Sequence, residues 1–218
     1  GSGECNNYPL LNYIASFKKP VIISTGMNDL KSIKKAIKIL KKNKVKHAIL
    51  HTTNLYPTPH NLIRLNALNE IKKNFPKTVY GLSDHTGENY TSFAAVAMGA
   101  SIIEKHFIDK SSRKGPDISA SINSNQMRDL LHGVQLIHQS KPGGIKPVKE
   151  EKKTAEFAFA SVVSNRDIQS GEILSKSNIW VKRPGTGDFS AEDYPTLIGK
   201  RLKQNIKNNT QIKKNHIK

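Results

Sequence analysis

Two short runs carry the side chains best suited to chemistry: Ser83-Asp84-His85-Thr86 and Glu104-Lys105-His106-Phe107. Each closes an apolar segment, TVYGLS over 78–83 and SIIEKHF over 101–107, and the two histidines stand 21 positions apart. Neighbouring strands of a parallel sheet lie about 4.8 Å apart, so imidazoles at adjacent strand ends can converge on one ion. Imidazole nitrogen suits zinc, manganese or iron, with positions left open for substrate oxygens and water. The same spacing fits two histidines hydrogen-bonded in a strand-end network equally well. No HxxH or HExxH run selects between the two.

Other candidates sit at comparable places. Asn54 and Tyr56 precede or flank two prolines in NLYPTP, a stiff loop that either presents them to a ligand or only makes a rigid crossover. Arg113, Lys114 and Asp117 share the loop after 101–107, where they can contact an anionic or hydroxylated ligand or simply solvate the loop. His51 ends a strand near the same rim without an assigned role. His47, His60, His132, His138 and His216 fall at element starts, on a helix or in a basic terminal run, and carry none.

The elements that must position these residues are legible as repeated β-then-α units. PVIIST (20–25) predicts a strand buried on both faces, and 29–43 predicts a helix with Leu30, Ile33, Ile37 and Leu40 on one side. HAILHT (47–52) is followed by a helix over 62–75, TVYGLS by one over 90–98, and SIIEKHF by one over 124–139. Four such units predict a parallel sheet with covering helices. Polar residues end every strand: Ser24, Asn54, Ser83 to His85, and Glu104 to His106. One shared site at a barrel mouth explains this better than an open sheet does. Gly1 to Glu4 read as the tail of a strand, with a helix over 9–17. Four strands and a tail predict the carboxyl-terminal half of a (β/α)8 TIM barrel, inactive by itself.

The composition changes after residue 139. Residues 140–156, SKPGGIKPVKEEKKTAE, predict a linker, and 157–218 a small β-rich domain beginning with a strand at FAFASVV. The chain has 36% hydrophobic and 24% charged residues, which excludes a disordered tail, and no apolar run reaches the ~20 residues of a membrane span. Its single cysteine, Cys5, excludes an internal disulfide and predicts a reducing, cytoplasmic setting. The net charge of +18 is almost all lysine, with little arginine and no aromatic-basic stacking run. Abundant Lys, Asn and Ile mark an A/T-rich coding genome, so neither a nucleic acid nor a membrane is predicted as a partner.

GSGECNNYPLL, STGMN, NLYPTP, GLSDHT, EKHF and KGPD occur in that order, followed by VKRPGTGDFS and GKRL. Together they resemble the sialic acid synthase family (N-acetylneuraminate synthases with their legionaminate and pseudaminate relatives) and its closing antifreeze-protein-like SAF domain. The resemblance implies a domain-swapped homodimer that condenses phosphoenolpyruvate with an N-acetylhexosamine, typically N-acetylmannosamine, to a nine-carbon 2-keto acid and phosphate. A deoxy-diacetamido sugar is the alternative substrate, and a non-catalytic carbohydrate- or anion-binding module the alternative class. The resemblance further implies a divalent metal, most often Mn2+, on His85 and His106. It puts Ser2, Ser24, Asn54 and Ser83 at phosphoenolpyruvate positions and makes Glu4 an active-site carboxylate. Tyr56 and Asp117 fall at sugar contacts, and Arg183 is the arginine delivered by a partner's small domain. The family's first three strands, with their phosphate-binding lysine and acid/base carboxylates, have no counterpart in this sequence.

Overall fold

The computed structural model describes residues 1–110 and 112–218. They form two compact units, Gly1–Pro142 and Gly143–Lys218. The first contains α1 (Tyr8–Ser16), β1 (Val21–Ser24), α2 (Leu30–Lys42), β2 (His47–Thr52) and α3 (Ala67–Asn74). It continues with β3 (Val79–Asp84), α4 (Tyr90–Ala97), β4 (Ile102–Phe107), the two-residue β5 (Ser121–Ile122) and α5 (Ser124–Ser140).

All five strands are parallel and lie in the order β1-β2-β3-β4-β5. An order without a reversal, joined by right-handed crossovers, puts every helix on the same face, as in a barrel wall. The core bears this out. Ile23 of β1 and Ile49 of β2 pack with Ile33, Ile37 and Leu40 of α2, and Leu82 of β3 packs with Leu68 of α3 and Ala95 of α4. The opposite face is less covered. Ile22 is 57% exposed, so β1 is buried on one face and not, as its apolar run predicts, on both. Gly81 sits where a Cβ would overlap the Ile102 carbonyl, so only glycine lets β3 and β4 approach there.

The α2 helix begins where the sequence places it. Asp29 caps it by accepting from the Ser32 amide at 2.7 Å, and Lys41 and Lys42 close it against the helix dipole. The predicted helix over 62–75 is shorter. A single 3-10 turn, His60–Leu62, precedes α3, and Arg64 between them has φ +56°. The Leu62 and Ile63 carbonyls, which a continuous helix would use internally, instead accept from Thr53 Oγ1 at 2.8 Å and His51 Nε2 at 2.7 Å. Gly1 to Glu4 also depart from expectation, with a 3-10 turn over Ser2–Glu4 in place of a strand tail.

The second unit pairs β6 (Ser161–Ser164) with β7 (Ile179–Lys182) antiparallel, around a core of Val162, Ile168, Leu174, Ile179, Leu202 and Ile212. Part of the expected linker is helical, with α6 spanning Lys152–Ala158, and a short α7 follows further on at Tyr194–Leu197. Lys, Ala and Glu favour helix, and Glu151 fixes its approach by accepting from the Val148 amide at 2.8 Å. Phe157 therefore belongs to α6, and the strand starts at Ser161. No helix among the described residues is long and apolar enough to cross a membrane.

Candidate active site at the strand ends

Successive strand residues face opposite sides of a sheet. Ser83 pairs with Glu104 and Asp84 with Lys105 across β3 and β4. Ser83, His85, Glu104 and His106 therefore share the face away from the helices, while Asp84 and Lys105 point under them.

On the open face, Ser83 Oγ donates to Glu104 Oε1 at 2.6 Å and lies 3.4 Å from His85 Nε2. His85 Nδ1 is 3.0 Å from the Thr53 carbonyl. A carbonyl only accepts, so the proton is on Nδ1 and Nε2 carries a lone pair. Ser83 has committed its proton to Glu104, which leaves that lone pair unshared. Burial pushes His85 below the ordinary imidazole range, which keeps the ring neutral. The His106 ring is 5.1 Å away at 72°, and its Nδ1 is 3.7 Å from Asp117 Oδ2. Tyr56 stacks on His85 at 4.3 Å and meets His106 edge-on at 5.5 Å.

The loop that delivers Tyr56 is tied on both sides. Thr58 Oγ1 reaches the Leu55 carbonyl at 2.7 Å and the Thr53 carbonyl at 3.2 Å, and the Thr58 amide donates to the His85 carbonyl at 2.9 Å. At its other end the same loop carries Asn54 into a second cluster. Ser2 Oγ accepts from the Gly26 amide at 3.1 Å, and Asn28 Nδ2 donates to the Ser2 and Gly26 carbonyls at 2.9 and 2.7 Å. A Cβ on Gly26 would overlap Asn54 Oδ1, so glycine there is what admits the amide. Asn54 Oδ1 is buried with no protein partner, the mark of a group awaiting a ligand or water.

The structure thus brings Tyr56, Ser83, His85, His106 and Asp117 into one cluster and Ser2 and Asn54 into another, joined by residues 53–58. Ser24 ends β1, half-buried. Glu4 is exposed and accepts from Asn7 Nδ2 at 2.7 Å. Arg183 is exposed in the second unit, just after β7. Arg113 pairs with Asp109, its Nη2 2.7 Å from Oδ2. Thr53 and Thr58 escaped sequence reasoning, and Glu104, placed at a strand end, was given no role. The signal for that role was its two-residue spacing from His106.

The donor set fits a divalent cation. Two imidazoles, one with its lone pair free and its other nitrogen fixed by a backbone carbonyl, stand beside carboxylates. Among the described residues no group of three or more His, Cys, Asp or Glu side chains converges to hold a metal ion, so these two imidazoles would hold a cation only with oxygens from substrate or water completing its shell.

Residues 1–146 match the NeuB family and residues 159–218 match the SAF domain. The chain belongs to the NeuB family. This NeuB-family chain is 39% identical over 216 residues to N,N'-diacetyllegionaminic acid synthase of Campylobacter jejuni, covering 97% of this chain and 64% of that protein. It is 31% identical to the N-acetylneuraminate-9-phosphate synthase of Homo sapiens over 203 residues, 93% of this chain and 56% of that one. Among solved structures, spore coat polysaccharide biosynthesis protein SpsE of Bacillus subtilis superimposes with a TM-score of 0.61 at 27% identity, covering 100% of this chain and 66% of that one. The chain thus spans somewhat under two thirds of the length of these relatives.

Proposed function

We propose that this chain supplies the metal-binding strand ends of a synthase that joins phosphoenolpyruvate to an open-chain N-acetylated sugar. C3 of phosphoenolpyruvate bonds to the sugar's aldehyde carbon, water adds at C2, and phosphate leaves by C–O cleavage, giving a nine-carbon 2-keto acid. The observation that carries the reading is the meeting of His85, His106 and Tyr56 beside the Ser2–Gly26–Asn54 cluster at the carboxyl ends of parallel strands. His85 and His106 would hold the divalent cation, manganese on the family resemblance, whose Lewis acidity polarises a carbonyl.

The chain's own groups bind and orient. Ser2, Ser24, Asn54 and Ser83 offer hydroxyls and an amide to the phosphoenolpyruvate anion, and Glu4 would serve as an active-site carboxylate on the family resemblance. Glu104 holds the Ser83 proton, which fixes the hydroxyl's lone pairs toward the site. Tyr56 closes over both imidazoles and, with Asp117, contacts sugar hydroxyls. Positioning of this kind converts a bimolecular encounter into a near-intramolecular one. Arg183 of a second copy would reach the sugar's amide in a homodimer. For the acceptor, the 39% identity to a legionaminic acid synthase favours a deoxy-diacetamido-hexose over N-acetylmannosamine.

The test is phosphate release from phosphoenolpyruvate by the protein expressed from its complete reading frame, offered each sugar with and without manganese. Metal-dependent release with the diacetamido sugar is expected. Release with N-acetylmannosamine alone would move the acceptor, and metal binding without any release would favour a binding module.

A further inference from the structure

Beneath the imidazoles, on the helix side of the sheet, Asp84 and Lys105 form an ion pair of 3.3 Å between side chains that are 0% and 1% exposed. Each immediately precedes a proposed metal ligand, and the two residues are register partners across β3 and β4. Neither faces the open side of the strand ends, so neither is placed to touch substrate. Resting on the metal reading above, we propose that Asp84 and Lys105 are positioning residues, a buried clamp that sets the separation of His85 and His106.

The bonds around the pair explain how it would act. Asp84 Oδ2 accepts from Thr91 Oγ1 at 2.6 Å and Ser92 Oγ at 2.7 Å, both in the first turn of α4, and Oδ1 accepts from the Thr86 amide at 2.9 Å. Lys105 Nζ donates to the Glu88 carbonyl at 2.7 Å and lies 3.5 Å from Thr86 Oγ1. The loop that begins with His85 is therefore gripped at Thr86 and at Glu88, and one of the two grips comes from the strand that carries His106. A slip of one residue between β3 and β4 would separate the pair and carry one histidine to the wrong face. A buried ion pair contributes little net stability compared with apolar side chains of similar volume, and its best-attested use is to fix registry. Lys105 is thus excluded as a nucleophile or base by its direction, and Asp84 as a metal ligand by its full set of partners.

Manganese titration of the folded chain, read by the EPR signal of the free ion, tests this without any turnover. The unsubstituted chain is expected to bind one ion, and His85→Ala to abolish that binding. Asp84→Asn and Lys105→Met should each weaken binding about tenfold or more, the loss typical when support behind a metal ligand is removed. The double variant should be little worse than either single one, because both break the same clamp, and Lys105→Arg should recover part of the affinity. Leu40→Ala, a cavity in the distant α2 core, is the control; it should lower the melting temperature and leave manganese affinity intact. If Asp84→Asn does not fold, Ser92→Ala keeps both charges and should weaken binding in the same direction by less. Unchanged affinity in the folded clamp variants, or an equal loss in Leu40→Ala, overturns the clamp. No binding to the unsubstituted chain overturns the metal reading and the clamp with it.

Discussion

A histidine in this fold behaves according to which backbone carbonyl it meets. His85 gives its Nδ1 proton to the Thr53 carbonyl and turns a bare Nε2 to the site. His51, one strand over and on the helix side, gives its Nε2 proton to the Ile63 carbonyl at 2.7 Å and is 5% exposed. Burial pulls His51 below the ordinary imidazole value near 6.5, outweighing the carbonyl bond that opposes it. With the folded-state value depressed, its contribution to stability is complete above about pH 6.5 and is lost as the pH falls toward the folded value. His51→Gln keeps an amide donor for Ile63 and removes the titration. Melting curves between pH 7.5 and 5 should therefore be flatter for that variant than for the parent, though not level, because His85 and His216 are also depressed. A parent and variant with parallel pH profiles would assign the acid sensitivity elsewhere. Gly26 makes a second prediction at this scale. Gly26→Ala drives a methyl into the space of Asn54 Oδ1 and, on the proposed function, should weaken phosphoenolpyruvate binding about tenfold to a hundredfold, the equivalent of one hydrogen bond to a charged group. Isothermal titration with phosphoenolpyruvate measures it.

At the scale of elements, the segment after β2 does the most. Thr58, 3% exposed, ties its own hydroxyl to two carbonyls and its amide to His85, so residues 53–58 are a strut between the two clusters. Thr58→Val is nearly isosteric and leaves both carbonyls without that donor. It should cost about 1–3 kcal/mol in denaturant unfolding, and tryptic cleavage at Arg64, downstream of the freed loop, should accelerate. The strands and the α2 helix could be read from the sequence because their signals are periodic and local, as Ile33, Ile37 and Leu40 show. Strand alternation could even have separated Ser83 and His85 from Asp84. What could not be read depends on backbone carbonyls, which have no sequence signature. The Ile63 and Leu62 carbonyls turn toward β2 side chains, and the predicted helix over 62–75 gives way to a 3-10 turn and a left-handed Arg64. Likewise, β5 is two residues long and pairs only through His106 and Phe107, too short for any period to register.

Taken whole, the chain puts its charge and its chemistry in different places. The +18 net charge lies on lysine-rich faces such as that of α2, while the strand-end cluster is built from imidazoles, hydroxyls, an amide and carboxylates. A site of that composition gains affinity for an anionic substrate from positioned donors, with long-range lysine attraction contributing chiefly to the encounter rate. Raising salt from about 50 to 200 mM shortens the Debye length from roughly 14 to 7 Å, which should slow association of the proposed substrate phosphoenolpyruvate but leave its dissociation rate nearly constant. The two units also carry separate cores, one around Ile37, Leu40 and Ile49 and one around Leu174, Ile179 and Leu202. Leu174 is fully buried, so Leu174→Ala should remove about 2–5 kcal/mol from the second unit. Calorimetry should show this as a downward shift of one transition, with manganese binding at the proposed His85–His106 site unchanged because the cavity lies in the unit that carries neither histidine. An equal fall in manganese affinity would mean that the first unit does not hold the proposed metal-binding geometry on its own core.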